Sequence, residues 1–134
     1  MAGAAYNDEY DPITGESPLN TWIYPASKAF RSYQFKIVRG SLFENTLVTL
    51  PTGLGKTFIA SAVMFNYYRW FTDGLIFFLA PTKPLVSQQV VAFAQAIPEV
   101  RLYDICELNG TMPKQKRADA YRKSRVFFMT PQTL

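Results

Sequence analysis

Two patterns of apolar positions take turns along the chain, a helical spacing of three or four residues and a short continuous apolar run, and together they predict its fold class. Apolar residues recur every three or four positions over residues 28–43, which predicts an amphipathic helix with Ser27 as its cap. Apolar runs predict strands at 45–50, 75–80, 100–108 and 126–129, and helices are predicted at 57–71, 84–97 and 113–123. Strand and helix therefore alternate, and we expect an α/β fold with a mainly parallel, doubly wound sheet of about four strands.

A glycine-containing loop joins the first predicted strand to the helix that follows. Its residues are Leu50, Pro51, Thr52, Gly53, Leu54, Gly55, Lys56 and Thr57. The two glycines allow backbone N–H groups to point at an anion, and the helix N-terminus adds unpaired N–H groups and a positive dipole end. We expect Lys56 to bridge the β- and γ-phosphates of a nucleotide and Thr57 to ligate Mg²⁺. A chance glycine turn is the alternative, but the strand-to-helix context is the one that phosphate binding requires.

Composition excludes several classes of protein. With 49% hydrophobic and 18% charged residues, the 134-residue chain has the make-up of one globular domain. Its apolar runs end well short of the ~20 residues that span a bilayer, and residues 1–20 carry four acidic and no basic side chains, unlike a secretory or mitochondrial leader. Cys106 is the only cysteine and histidine is absent, which excludes an internal disulfide and Ser-His or Cys-His catalysis. We therefore expect an intracellular protein.

Charge is unevenly distributed along the chain. Residues 21–134 hold 14 basic and 6 acidic side chains, a net charge of +8, which suits a polyanionic partner. The region of the last predicted helix concentrates this charge in Lys114, Lys116, Arg117, Arg122, Lys123 and Arg125, against one acid, Asp119. These side chains are able to contact phosphates, although a solvated helix face is the favoured interpretation from the pattern alone.

Gln34 lies on the first predicted helix, 22 positions before Lys56. A glutamine amide is able to donate to a ring nitrogen of adenine while it accepts from the exocyclic amine. From spacing alone, however, a solvent-facing helix glutamine is the favoured interpretation.

Three loops follow the carboxyl ends of predicted strands, after Leu50, after Ala80 and after Met129. Ligands of open α/β sheets bind in the crevice outside these strand ends. We therefore expect the three loops to form one functional rim.

After residue 21 the sequence resembles the front of superfamily 2 DNA helicases of the Fanconi anaemia complementation group M family, with a fungal character. The matching segments are Trp22–Pro25, Arg31–Gln34, Asn45–Val48, Leu50–Thr57, Ala80–Gln89 and Arg125–Leu134. The glycine loop has Leu50 where the commonest form of the motif has glycine, a relaxation that superfamily 2 motors often show. The resemblance implies a RecA-like P-loop domain of a nuclear, ATP-driven 3′-to-5′ translocase that uses Mg²⁺ and remodels branched DNA during repair.

The resemblance also implies roles for particular residues. It assigns adenine recognition to Gln34, with Arg31 and Tyr33, in place of the surface interpretation. Nucleotide binding falls to Pro51, Thr52, Gly53, Leu54, Gly55, Lys56 and Thr57, with Lys56 and Thr57 catalytic and Thr57 the metal ligand. Contacts with the DNA backbone fall to Pro81, Thr82, Lys83, Gly110, Thr130, Pro131 and Gln132. Such contacts carry no base-sequence information.

One departure from the family pattern concerns hydrolysis, which needs an acidic pair at the end of a later strand and an arginine from a second motor domain. None of the predicted strands ends in Asp-Glu, and the nearest candidate is Asp104. We therefore expect residues 1–20 to be an acidic disordered tail and residues 21–134 to be an incomplete first motor domain, inactive alone. A non-catalytic module that binds ATP or DNA stays open as an alternative, whereas a small-molecule kinase would leave the Pro81 and Thr130 motifs without a role.

Overall fold

A computed structural model describes residues 18–134, which divide into two compact units. The first unit ends at Gly74 and the second comprises Leu75–Leu134. Residues 1–17 of the predicted acidic tail lie outside the described residues. The last three residues of the predicted tail, Pro18–Asn20, form a 3₁₀ turn. None of the helices described has the length and apolar character that crossing a membrane requires.

The first unit is built around two helices, α1 (Ser32–Ser41) and α2 (Lys56–Trp70). Their contact surface is apolar because Val38 and Leu42 of α1 meet Ile59 and Ala62 of α2, all of them buried. Burial of side chains of this size stabilises a fold by about 1.5 to 3 kcal/mol each, less for alanine. The helix pair therefore holds the loop between α1 and α2 at a defined place.

An N-terminal strap, defined here as residues 21–24, is tied to α2 by side chains of that helix. The carboxamide of Asn66 accepts from the Ile23 amide at 2.7 Å and donates to the Ile23 carbonyl at 2.8 Å, and the indole nitrogen of Trp70 donates to the Thr21 carbonyl at 2.8 Å. Asn66 is fully buried, and these bonds satisfy an amide that would otherwise be costly inside a core. The sequence pattern offered no signal for this role beyond a polar residue on an apolar helix.

The prediction for the start of α1 is wrong. The helix begins at Ser32, four residues after the predicted start, and Arg31 precedes it in an extended conformation with no side-chain cap. Ser27 is therefore not the cap. The reason lies in Phe30, whose ring packs against the rings of Tyr24 and Phe35 at 5.7 Å in each case. This packing holds the residue that precedes Arg31 outside the helix.

The strand predicted at 45–50 is also wrong, because no strand forms anywhere in residues 18–74. Leu47 is 89% exposed, and the hydroxyl of Thr46 donates to the Glu44 carbonyl in a local turn at 3.0 Å. Val48 and Leu50 are half-buried, and Leu50 packs against the core of the helix pair. An apolar run becomes a strand only where a neighbouring strand pairs with its backbone N–H and C=O groups. Residues 45–50 pack some side chains against the core but have no such neighbouring strand.

The second unit contains a parallel three-stranded sheet in the order β1-β3-β2. The strands are β1 (Ile76–Leu79), β2 (Ile105–Glu107) and β3 (Val126–Met129). They confirm three of the four predicted strands, although β2 is much shorter than the predicted 100–108. The central strand β3 is buried along its whole length, as expected for a parallel strand covered on both faces.

Two helices cover opposite faces of this sheet, as the doubly wound prediction requires. They are α3 (Lys83–Ala96) and α4 (Lys114–Lys123). The ring of Phe93 on α3 packs against Phe128 at 5.5 Å, whereas Tyr121 on α4 packs against Phe127 at 5.0 Å. Since neighbouring residues of a strand point to opposite faces, the two contacts place the two helices on opposite sides of β3.

Candidate nucleotide and nucleic-acid sites

The loop that precedes α2 has the backbone geometry of an anion site. Gly53 and Gly55 have φ values of +84° and +86°, the left-handed region that residues with a side chain seldom adopt. Gly55 directly precedes α2, and no side chain caps the helix there. The first N–H groups of α2 are therefore not capped by a side chain of the loop, and they suit a phosphate group.

Lys56 and Thr57 begin α2, so both lie at its positive end. Lys56 is exposed and Thr57 is half-buried, and the Thr57 carbonyl accepts from the Ser61 hydroxyl one turn later at 2.7 Å. Their positions suit a cation and a hydroxyl that face the same anion. Among residues 18–134 no cluster of three acidic, cysteine or histidine side chains is able to hold a metal. The assignment of Thr57 as a ligand of Mg²⁺ stays a prediction.

The first turn of α1 contacts this loop at one carbonyl group, that of Leu54. The hydroxyl of Tyr33 donates to it at 2.7 Å, and the Gln34 amide nitrogen donates to it at 3.3 Å. Arg31 in turn donates from its guanidinium to the Tyr33 hydroxyl at 3.2 Å. The structure therefore brings Tyr33 and Gln34 directly to the glycine loop, and Arg31 is joined to it through Tyr33.

Gln34 is 4% exposed, so the solvent-facing interpretation is wrong. Its amide also touches the Cα side of Gly55, where an added Cβ would collide with the amide nitrogen. Gly55 thus meets two requirements, a positive φ and room for the Gln34 amide. Gly53 has the same backbone conformation with nothing within 4 Å of the corresponding position.

Aromatic residues that sequence reasoning did not assign to the site pack beside it. Tyr24 makes ring contacts with Phe35 of α1 at 5.4 Å and with Phe58, next to Thr57 on α2, at 5.7 Å. Burial raises the pKa of the Tyr24 hydroxyl, and the nearby Tyr33 raises it further. This cluster joins the first turns of the two helices and so positions Tyr33 and Gln34. The only sequence signal was the density of aromatic residues in this region.

In the second unit the strand ends lie next to one another. The Ala80 amide donates to the Met129 carbonyl at 3.0 Å, and the Leu108 amide donates to the Phe128 carbonyl at 2.9 Å. The loops that follow β1, β2 and β3 therefore start at one edge of the sheet. The predicted rim that also includes the loop after Leu50 stays a prediction.

Pro81, Thr82 and Lys83 form the turn from β1 into α3. Thr82 is the N-cap of α3, and its hydroxyl accepts from the Leu85 amide at 3.4 Å. Lys83 is exposed and lines a small pocket of about 60 Å³ at the strand ends. The exposed ammonium group of Lys83 at the N-terminus of a helix is suited to a phosphate oxygen.

Thr130 lies at the other side of the same pocket, immediately after β3. Its hydroxyl and that of Thr133 are 3.1 Å apart, and both threonines are buried. Pro131 and Gln132 are exposed in the 3₁₀ turn Pro131–Thr133. Gly110 approaches from the loop after β2, where an added Cβ would lie 3.9 Å from the Thr133 hydroxyl. Of the residues assigned to DNA contact, Lys83 and Thr130 thus line this pocket, and the others follow or precede these two in the chain or, like Gly110, lie near Thr133.

A carboxylate, that of Glu107, also lines this pocket. Glu107 ends β2 and accepts from the Ser87 hydroxyl of α3 at 2.7 Å. Asp104 lies at the opposite, amino end of β2, where ligands of parallel sheets are not bound. Asp104 is therefore at the wrong end of the strand to serve as the missing acid.

Comparison with known proteins gives a consistent result. The family model described as "Type III restriction enzyme, res subunit" matches residues 27–134. The Drosophila melanogaster protein named DEAD-box ATP-dependent DNA helicase Fancm is 52% identical over 127 residues, which are 95% of this chain and 8% of the fly protein. The Schizosaccharomyces pombe ATP-dependent DNA helicase fml1 is 52% identical over 119 residues, 89% of this chain and 14% of that protein.

Solved structures agree with the sequence comparison. The helicase domain of Pyrococcus furiosus Hef superposes with a TM-score of 0.68 at 34% identity, over 78% of this chain and 22% of that one. The chain thus spans only 8% to 14% of the two curated relatives and about a fifth of the Hef domain. The fold is that of a RecA-like helicase domain, and the chain belongs to the restriction-enzyme res-subunit family and, within it, to the helicases of the Fanconi anaemia group M family.

Proposed function

We propose that this chain is the nucleotide-binding part of an ATP-dependent DNA translocase that moves 3′ to 5′ on branched DNA during repair in the nucleus. The observation that carries the proposal is the contact of Tyr33 and Gln34 with the carbonyl of Leu54, because it joins a base-reading element to a phosphate loop. The names of the relatives support ATP-dependent action on DNA. Polarity, branched substrate and location follow from the family resemblance.

In this proposal ATP is held by residues of the first unit. The loop of Pro51, Thr52, Gly53, Leu54 and Gly55 surrounds the phosphates, and its residues other than the proline supply the backbone N–H groups. Lys56 neutralises the charge of the β- and γ-phosphates, and Thr57 supplies a hydroxyl ligand to Mg²⁺, which when bound would polarise the phosphate oxygens. Gln34, supported by Tyr33 and Arg31, reads the adenine edge.

The DNA strand is held by residues of the second unit. Lys83 supplies a charge-assisted contact, and the hydroxyl groups of Thr82 and Thr130 with the nearby backbone bind phosphate oxygens. Pro81, Gly110, Pro131 and Gln132 complete the surface. Affinity that rests on phosphate contacts falls steeply with salt and is indifferent to base sequence. A strong sequence preference at fixed salt would contradict this assignment.

The test of the nucleotide site is Lys56→Ala, titrated with a fluorescent ATP analogue. We expect binding to be lost, because the phosphates lose the one lysine that begins α2. The matched control is Lys28→Ala, which removes an exposed lysine that precedes α1 and should leave the affinity unchanged. Unchanged affinity in Lys56→Ala would reject the phosphate-loop assignment.

Gln34→Ala tests the base-reading part of the proposal separately. The variant should weaken binding of adenine nucleotides more than binding of guanine nucleotides, because the contact with the base edge is lost for adenine alone, whereas the lost bond to the Leu54 carbonyl affects both. Equal weakening of both would show that Gln34 acts through the loop alone. Measurement of ATP turnover then separates a motor from the non-catalytic alternative, since the latter binds ATP without DNA-stimulated hydrolysis.

A further inference from the structure

The outer face of α4 is the strongest concentration of charge that the proposed sites do not use. Within Lys114–Lys123 there are five basic side chains and one acid, Asp119. Ala120 and Tyr121 face the core of the second unit, where they pack against a cluster of Leu108, Phe127 and Met129. Four basic residues are exposed, namely Lys114, Lys116, Arg122 and Lys123.

The helix is fixed to the pocket at the strand ends. Arg117, on its inner side, donates from its guanidinium to the Thr133 carbonyl at 3.4 Å, and Thr133 is the hydroxyl partner of Thr130. The loop between pocket and helix is closed by a bond from the Met112 amide to the Asn109 carbonyl at 3.2 Å. A nucleic acid that touches Thr130 and Gln132 therefore passes beside α4.

Two of the exposed lysines share one side of the helix. Lys116 and Lys123 are seven residues apart, close to two full turns, and with a rise of 1.5 Å per residue they lie about 10.5 Å apart along the axis. Arg122 is exposed at the same end of the helix as Lys123. The major groove of B-DNA is about 12 Å wide, so two lysines at this spacing match the phosphate rows of the two strands on either side of it.

The middle of the outer face carries no exposed positive charge. Asp119 lies between Lys116 and Lys123 on the same side of the helix, and the Gln115 amide donates to its carboxylate at 3.3 Å. A single strand laid along the helix would bring phosphates past Asp119, at an electrostatic cost. A duplex whose groove lies over the middle of the helix would not, because the phosphates lie at its edges.

We propose that the outer face of α4 binds the duplex arm of a branched DNA across a groove, next to the strand held at the pocket. The inference rests on the proposed function, since it requires DNA at the strand ends. It adds a second surface with a different partner, double-stranded rather than single-stranded DNA. The contact is with phosphates and is independent of base sequence.

The test is the triple variant Lys116→Ala/Arg122→Ala/Lys123→Ala. Its affinity for a forked DNA and for the single-stranded arm of that fork is measured over a series of salt concentrations. Loss of three phosphate contacts should make the slope of log affinity against log salt for the fork less steep by about 2.7. Over a fourfold rise in salt concentration, the unaltered chain should therefore lose about 40-fold more affinity for the fork than the variant does. The slope for the single strand should not change.

Two further variants make the result specific. Lys28→Ala/Lys36→Ala/Arg39→Ala removes three exposed charges from the first unit and should leave both slopes as they are. Lys116→Arg/Arg122→Lys/Lys123→Arg retains the charges and should bind the fork as the unaltered chain does. A loss that is equal for fork and single strand, or equal to that of the first-unit control, would overturn the inference and leave the proposed function intact. An unaltered chain that binds neither DNA would overturn both.

Discussion

The two glycines of the phosphate loop should respond differently to the same substitution. Gly53→Ala places a side chain at positive φ, which costs about 1 to 2 kcal/mol, and nothing stands in its way. Gly55→Ala carries the same backbone cost and in addition displaces the Gln34 amide. That amide is buried and would lose its bond to the Leu54 carbonyl, which costs about 1 to 3 kcal/mol more.

The free energies of unfolding of the two variants, measured in urea, give the difference directly. We expect Gly55→Ala to be less stable than Gly53→Ala by about 1 to 3 kcal/mol. In the double variant Gly55→Ala/Gln34→Ala the collision is absent. Its destabilisation should therefore be smaller than the sum of the two single effects by about 1 kcal/mol or more.

Equal stability of Gly53→Ala and Gly55→Ala would refute the reasoning, as would strict additivity in the double variant. Either result would mean that the Gln34 amide can leave the loop at no cost. Binding of a fluorescent ATP analogue to the same variants provides a second measurement. Gly55→Ala should bind more weakly than Gly53→Ala, because the displaced amide disturbs the loop and the base-reading element together.

Three other predictions concern side chains away from the loop. Asn66→Ala should lower the free energy of unfolding by about 1 to 3 kcal/mol, because the backbone groups of Ile23 lose their buried partner; a change under 0.5 kcal/mol would contradict the role of the strap. Phe128→Ala should cost about 3 to 5 kcal/mol, since the ring is fully buried at the centre of the sheet, and urea unfolding measures it. Burial, with a smaller contribution from Glu107, raises the pKa of the Cys106 thiol. The folded chain therefore holds less thiolate at pH 8, and we expect iodoacetamide to alkylate Cys106 more slowly in the folded chain than in the chain unfolded in urea. An equal rate of alkylation would exclude the pKa shift.

Local pattern was sufficient for β1 and β3 because both strands are short apolar runs. The run at 126–129 is buried on both faces, so continuous apolarity and strand structure coincide there. Pro84 in the first turn and the cap by Thr82 likewise make the start of α3 visible in the sequence.

The errors arose where a side chain depends on a partner that is distant along the chain. Gln34 is polar and lies on a helix, yet it is buried because its amide meets Leu54, 20 residues away. Asn66 is buried for the same reason, through Ile23 at a separation of 43 residues. The run at 45–50 has the composition of a strand, but no local pattern reports whether a neighbouring strand is there to pair with it.

The strap also determines where the chain can be shortened. Because Asn66 and Trp70 complete their hydrogen bonds with Thr21 and Ile23, a chain that starts at Thr21 retains every bond between the strap and these two side chains. A chain that starts at Pro25 would instead leave a carboxamide and an indole N–H without those partners on α2, the helix that carries Lys56 and Thr57 at its other end. The four residues of the strap thus decide whether the buried polar side chains of α2 keep these hydrogen-bond partners.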